Sequence, residues 1–443
     1  MSHHHHAQQH IIMHAICIRT NLSHTGPGAA KHILARDRAR AQKLLAGLHP
    51  HGPLSLSKKH GRTQPGGGTQ EPLPADPPAP GSNTIDVTDA GVTYTMQVGV
   101  GTPPTEYTLL IDTGSSNTWV GAGKKYVHTS SSKKTGDSVS VTYGSGSFKG
   151  FEFTDTVTLG KNLIIQNQSI GVATTSTGFN DVDGILGIGP VDLTEGTLSS
   201  GKPIPTVTDN LASQGTIPEN SIGILYEPTT GTDIANGELT FGGIDTAKIT
   251  GEISFVPITQ TSPANNFWGI DQTITYVYIC AYVHHTLSDT EHGILSPDRY
   301  GTGTKILSKT AGIVDTGTTL LLLATDAFKA YEKATGGVLD QATGLLTITQ
   351  TQFNNLKSLF FEIGNVTYEL TANAQIWPRA QNEVLGGDPN KIYLVTADLG
   401  NIGDSGLDFI DGFVFLQRFY SVYDTTNAQV GLATTQFTNA TTN

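Results

Sequence analysis

The sequence predicts an all-β chain of two lobes, each carrying one copy of the same loop. Three observations predict it. Asp112-Thr113-Gly114-Ser115-Ser116 and Asp315-Thr316-Gly317-Thr318-Thr319 repeat one phrase 203 residues apart, entered from the apolar runs Leu109-Leu110-Ile111 and Ile313-Val314. Many short stretches alternate apolar and polar residues with the period of two that half-buried strands need. Helical patterns are few, around Ile204–Gln214, Thr325–Thr335 and Gln350–Leu359, and each is flanked by strand-like sequence. Two β lobes related by the repeated loop fit this pattern better than an α/β sheet.

The elements follow in chain order. Residues 1–28 form an unassigned leader, in which the run His3 to His6 reads as carrying no function. The apolar stretch from Ile11 to Ile18 is short and broken by His14, so no signal peptide is visible and the start codon itself is in question. Ala29 to Gly47 spaces Ile33, Leu34, Ala41, Leu44 and Leu45 near one helical face with Arg and Lys around them, a short basic amphipathic helix stopped by Gly47. Residues 48–83 are rich in Pro and Gly and read as an extended linker. Val92, Tyr94, Met96, Val98 and Val100 then alternate with polar residues or Gly. After the turn Gly101-Thr102-Pro103-Pro104, Tyr107, Leu109 and Ile111 lead into Asp112. Further on, Phe151, Phe153, Val157 and Leu159 alternate with Glu152, Thr154, Thr156 and Thr158.

Composition narrows the function. The 443 residues suffice for two or more cores, and with only 14% charged residues the chain is unlike a disordered protein or a helical cytosolic enzyme. Residues 1–83 hold nine Lys or Arg against three Asp or Glu, whereas 84–443 hold 17 against 35. An acidic body argues against nucleic-acid binding, and no apolar run is long enough for a membrane span. The two cysteines, Cys17 and Cys280, allow neither a disulfide framework nor a thiolate metal cluster in the body.

One Asp-Thr-Gly usually does no more than end a strand. Two copies, both leaving buried-looking strands and both followed by hydroxyl residues, point instead to Asp112 and Asp315 as a carboxylate pair that activates water by acid-base chemistry. A buried carboxylate needs donors, and Thr and Ser supply them. Two carboxylates held together share one proton. The ionised one then serves as general base and the protonated one hydrogen-bonds the carbonyl under attack, with no metal or cofactor required.

These residues resemble the pepsin-like aspartic proteases over about residues 84–443, and more closely the secreted basidiomycete enzymes of the polyporopepsin type. Tyr143-Gly144-Ser145-Gly146-Ser147 resembles the family's flap hairpin, and Trp119 sits where the family has a tryptophan supporting the flap tyrosine. Asp183-Gly184-Ile185-Leu186-Gly187 resembles the element that packs behind the first catalytic turn. Gly189-Pro190-Val191-Asp192-Leu193-Thr194, the run Ala372 to Pro378 and the run Arg418 to Asp424 carry the closer likeness. The resemblance implies a bilobal pepsin-like fold, with residues 83–256 as the first lobe and 257–443 as the second. It implies that Ser115 and Thr318 hydrogen-bond the outer carboxylate oxygens, that Thr113 and Thr316 lock the loops across the axis, and that Gly114 and Gly317 leave room for substrate. Tyr143, Gly144 and Ser145 would close over the peptide, with Trp119 offering its N–H to Tyr143.

The implied activity is a secreted, acid-acting endopeptidase, made as a zymogen, monomeric, and cutting polypeptides bound in extended form. Residues 29–82 would be its propeptide, with Arg36, Arg38, Arg40 and Lys43 paired to the acidic body until acid releases them. Three Asn-X-Ser/Thr triplets, at Asn167, Asn365 and Asn439, permit glycosylation. Two features depart from the family pattern. Asp408-Phe409-Ile410-Asp411-Gly412 puts a carboxylate where an apolar residue is usual, and a retained intron or real insertion near 276–298 interrupts the hairpin before Asp315. Both keep open an alternative, a catalytically impaired pepsin-like protein that only binds peptides. A phosphoryl-transfer enzyme is disfavoured, since no phosphate-cradling Gly-Lys-Ser/Thr motif is present.

Overall fold

The computed structural model describes residues 29–45, 83–90, 93–144, 146–179, 181–231, 234–276, 303–401 and 403–442. The leader 1–28, the linker, Ser145 and nearly all of the insertion read near 276–298 lie outside them.

Strands dominate, as the alternation predicts. Thr105–Asp112 buries Tyr107, Leu109 and Ile111 on one face and delivers Asp112 at its end. Tyr94–Val100 departs from the half-buried pattern, because only Gln97 is exposed. The sheet folds back over it there, with Gly99 and Val100 pairing with Thr158 and Val157. Ser147–Gly160 departs further: Phe151 is exposed under the Lys134 ammonium, and Glu152 is buried with the Ser169 hydroxyl donating to it. Irregularities in its register with the strand Leu163–Thr177 shift the phase of the alternation, as bulges do.

The helical patterns are found, one of them at its expected bounds and two of them trimmed. Val207–Ser213 starts behind a Thr206–Asp209 capping box, and Thr325–Thr335 stops at Gly336 with φ 68°. Gln350–Asn354 is a short helix, after which the chain becomes the strand Leu359–Ile363. An unpredicted turn of helix, Phe413–Leu416, is made of four buried apolar residues whose run carries no helical period.

Two large sheets, of thirteen and seven strands, build the body. The strands Phe419–Asp424 and Gln429–Thr434 from the C-terminal end join the thirteen-stranded sheet, Ser421 opposite Ile224 and Val422 opposite Gly223, so backbone pairing ties the two halves together. Around each aspartate the pairing repeats. Ile111 and Asp112 lie parallel to Leu186 and Gly187; Ile313 and Val314 lie parallel to Ile410 and Asp411. Leu186 and Asp411 are therefore counterparts, as are Trp119 and Leu322, which pair antiparallel with Ile185 and Ile410.

The N-terminal helix is Ala29–Leu45. Its predicted apolar face is the buried one: Ile33, Leu34, Ala41 and Leu44 pack into the main core, and the Ala30 N–H donates to Leu385 O at 2.7 Å. This docks the helix on the second lobe and carries its basic face into the cleft between the two aspartate loops.

Candidate active site

The twin loops meet across the pseudo-twofold axis and hold each other. The Thr113 N–H donates to Thr316 Oγ1 and the Thr316 N–H to Thr113 Oγ1, both at 3.0 Å, and Thr316 Oγ1 donates to Ile111 O at 3.1 Å. Both threonines are fully buried, so these amides have no water to turn to. Thr316→Val should therefore leave the Thr113 amide unsatisfied and lower stability by about 1–3 kcal/mol, read as a drop in denaturation midpoint.

Each aspartate is held in the same way. The Gly114 N–H donates to Asp112 Oδ1 at 3.0 Å and Ser115 Oγ donates to Asp112 Oδ2; the Gly317 N–H donates to Asp315 Oδ1 at 3.0 Å and Thr318 Oγ1 to Asp315 Oδ2 at 2.6 Å. Glycine is required because the loops approach so closely. A Cβ on Gly114 would stand 2.7 Å from Asp315 Oδ1, and one on Gly317 would stand 2.5 Å from Asp112 Oδ1.

Tyr143 lies above the pair at the end of the strand Lys133–Thr142, with its N–H donating to Gly146 O at 2.7 Å to close the turn. It packs in a small apolar cluster with Trp119, Phe148 and Ile185. Trp119 stacks on Phe148 at 4.2 Å between ring centroids and lies 6.4 Å from the Tyr143 ring; Phe179 meets both edge-on. The indole N–H acts on the Tyr143 hydroxyl, opposing the effect of burial, but outside normal hydrogen-bond geometry. Both atoms are buried, and Trp119 meets Tyr143 through ring packing. Burial first, then the charge of Asp112, pushes the Tyr143 hydroxyl up, so it stays protonated. Ser145 lies outside the described residues.

The helix fills the space beneath this flap. Arg40 Nε donates to Asp315 Oδ2 at 2.7 Å, its Nη2 donates to Asp315 Oδ1 at 3.0 Å and to Asp112 Oδ1, and its backbone lies directly against Gly144. Burial alone would loosen the guanidinium's proton, but Asp112 and Asp315 more than reverse that and raise it above its ordinary value. Burial would likewise raise the Asp315 carboxyl; Arg40, then Thr318 and the Gly317 amide, hold it below the usual carboxylate range instead.

Three more contacts fix the helix. Asp37 Oδ2 accepts the Thr319 and Leu320 amides at 3.0 and 2.9 Å, Arg36 donates to the Thr319 hydroxyl, and Arg38 Nε donates to Asp398 O at 2.7 Å. Of the four basic residues expected to pair with the body, Arg38 reaches Asp398 and Arg40 reaches the two aspartates themselves. Arg36 pairs with its own neighbour Asp37, and Lys43 has no ion pair among the described residues.

The family model for eukaryotic aspartyl proteases matches residues 93–435. The chain belongs to the eukaryotic aspartyl protease family. It is a peptide hydrolase of the aspartic type. Polyporopepsin from Irpex lacteus is 58% identical, the match taking in 82% of this chain and all of that protein. Rhizopuspepsin-1 from Rhizopus niveus is 30% identical over 77% of this chain and 79% of its own length. The crystal structure of an aspartic proteinase from Irpex lacteus superposes with a TM-score of 0.74 at 58% identity, covering 81% of this chain and 99% of that one. The aspartyl protease match begins beyond the N-terminal helix, which is an addition to the matched body.

Sequence reasoning missed Phe148 and Phe179 beneath the flap, the paired amides of Thr319 and Leu320, and Asp37. The Ser116-Asn117-Thr118-Trp119 context pointed to Trp119. No comparable signal marks an aromatic that reaches the flap from another strand.

Proposed function

We propose that this aspartyl protease is made as a secreted zymogen whose mature form cuts extended polypeptides in acid with a water activated by Asp112 and Asp315. The observation that carries this reading is the single guanidinium of Arg40 bound to both carboxylates. A cation at that point neutralises the pair, occupies the position a scissile bond would need, and excludes the water.

With the helix gone, the two carboxylates are left close together, and in aspartic proteases such a pair keeps one proton between them. The ionised member takes a proton from water as the oxygen attacks the carbonyl. The protonated member donates to the carbonyl oxygen, and the two exchange roles as the amine leaves. Ser115, Thr318 and the Gly114 and Gly317 amides hold the carboxylates in place throughout. Tyr143 and Gly144 would close over the bound strand and Trp119 would brace them, with affinity from backbone hydrogen bonds and preference from side-chain pockets.

Acid opens the lock, and the sign follows from Asp315. Its carboxyl is held below the usual range in the closed chain and returns upward once Arg40 leaves. Closure is therefore favoured fully above the open-state value and lost as pH falls through the lowered one. Asp37 acts the other way. Burial, opposed by Arg36 and the two amides, raises its carboxyl in the closed chain and blunts the acid response. The full chain is expected to be inert on denatured protein at pH about 7 and to gain activity on transfer to pH about 3–5, N-terminal sequencing then finding a new start beyond the helix. Full activity of the uncut chain at neutral pH would defeat the reading.

A further inference from the structure

Behind the second aspartate loop sits a carboxyl that the dyad does not use. Asp411 is fully buried, and its carbonyl accepts the Asp315 N–H at 3.1 Å, so its backbone directly supports the catalytic aspartate. Its counterpart in the first lobe is Leu186, also fully buried. A carboxyl thus stands where the duplicated lobe uses a hydrocarbon. Its hydrogen-bond partner is Gln272 on the strand Gly269–Tyr276, whose Nε2 donates to Asp411 Oδ1 at 3.1 Å. Two atoms of this pair, Asp411 Oδ2 and Gln272 Oε1, are buried with no hydrogen-bond partner among the described residues.

Both oxygens are acceptors if Asp411 is ionised, and both remain unsatisfied. One proton resolves this. A protonated Oδ2 can donate to Oε1 while Oδ1 accepts from Nε2, the ring-shaped pair that a carboxylic acid and a primary amide form. We propose that Asp411 is a positioning residue for Asp315, a neutral carboxylic acid paired through both oxygens with the Gln272 amide, and that loss of its proton loosens the second catalytic loop. The consequence for activity rests on the Asp112/Asp315 reading; the consequence for stability does not.

Among the described residues, no cation acts on the Asp411 carboxyl. The register partners Val314 and Leu321 are apolar. The titratable groups near Asp411 are Asp315, bound through its backbone, and Tyr423 on the strand Phe419–Asp424. Burial, with Ser421 and Thr113 opposing and the two aspartates adding to it, raises the Tyr423 hydroxyl and keeps it neutral. Burial pushes the Asp411 carboxyl up to about 8, with Gln272 pulling it down. The sign is that of a raised carboxyl. The folded chain keeps a proton that the unfolded chain has already given up, so stability is full below the unfolded value and falls as pH rises toward 8.

Asp411→Asn tests this, because an amide at this position keeps both hydrogen bonds and has no proton to lose. In the parent, one retained proton lowers the folding constant about tenfold per pH unit across that window. In Asp411→Asn that one-proton component should vanish from the pH dependence of the denaturation midpoint. Asp411→Ala should lose activity that Asp411→Asn recovers. An Asp411→Asn chain with the parent's pH slope overturns the proposal. If that variant does not fold, infrared spectroscopy of the parent decides. A protonated carboxyl band should persist at pH about 6, where ordinary carboxyls are ionised, and disappear on raising the pH; its absence overturns the proposal. If slope and band appear but hydrolysis does not depend on Asp112, the functional reading fails and the Asp411–Gln272 pair stands.

Discussion

Replacing Asp112 by Asn in the full chain is expected to reduce acid-dependent hydrolysis of a denatured protein by about 10³-fold or more, in the range that general acid–base groups contribute. The amide has nearly the shape of the carboxylate: its oxygen can accept the Gly114 N–H and its NH2 can donate to the Ser115 hydroxyl, while Asp315 keeps its bonds from Arg40, so a cooperative unfolding transition, even one lowered by the weakened ion pair to Arg40, separates lost chemistry from lost folding. What it cannot do is take a proton from water. Processing of the N-terminal segment should stop along with hydrolysis of added substrate if the chain trims itself. A pepsin-like protein that only binds peptides predicts the reverse: no hydrolysis by the parent, and no change on substitution.

Arg40→Ala carries the second large effect. Arg40 is the sole cation bridging Asp112 and Asp315 among the described residues, and its side chain is 11% exposed. Removing one partner from a buried ion pair costs about 3–5 kcal/mol, which corresponds to a factor on the order of 10² to several 10³ in the ratio of closed to open chains. The uncut variant should therefore cleave substrate at pH values where the uncut parent is silent. Arg40→Lys should fall between them, since one ammonium keeps the charge but cannot present a flat fork to two carboxylates. Arg38→Ala serves as the control. Its side chain is 41% exposed where it meets Asp398, and exposed pairs contribute about 0–1 kcal/mol.

Much of this site was readable because duplication wrote it twice. Asp112 and Asp315, the two threonines that lock the loops and the two glycines that let them approach all follow from one repeated phrase. The charge of the N-terminal helix was also readable, but its aim was not. Ile33, Leu34, Ala41 and Leu44 give the helix a face, yet only the cleft's shape decides that Arg40 meets the dyad while Arg36 turns to Asp37 and the Thr319 hydroxyl. Asp37, the one acid in that basic helix, is buried on two backbone amides that only the fold brings to it. Strand phase failed at Phe151 and Glu152 because the register shifts with Leu163–Thr177 are set across strands. Asp411 stood out in the sequence as a carboxylate in an apolar place, while its partner Gln272, 139 residues earlier, could be found only in the fold.

On this reading the helix closes the active site through Arg40, and protons alone release it. Short-pulse hydrogen exchange on the uncut parent chain, at pH about 7 and about 3.5 and corrected for intrinsic exchange rates, tests it directly. The amides of residues 33–44 and of Gly144 should be protected at the higher pH and exposed at the lower one before any bond is cut. Protection that survives acid until cleavage, or that is missing at neutral pH, would contradict the account.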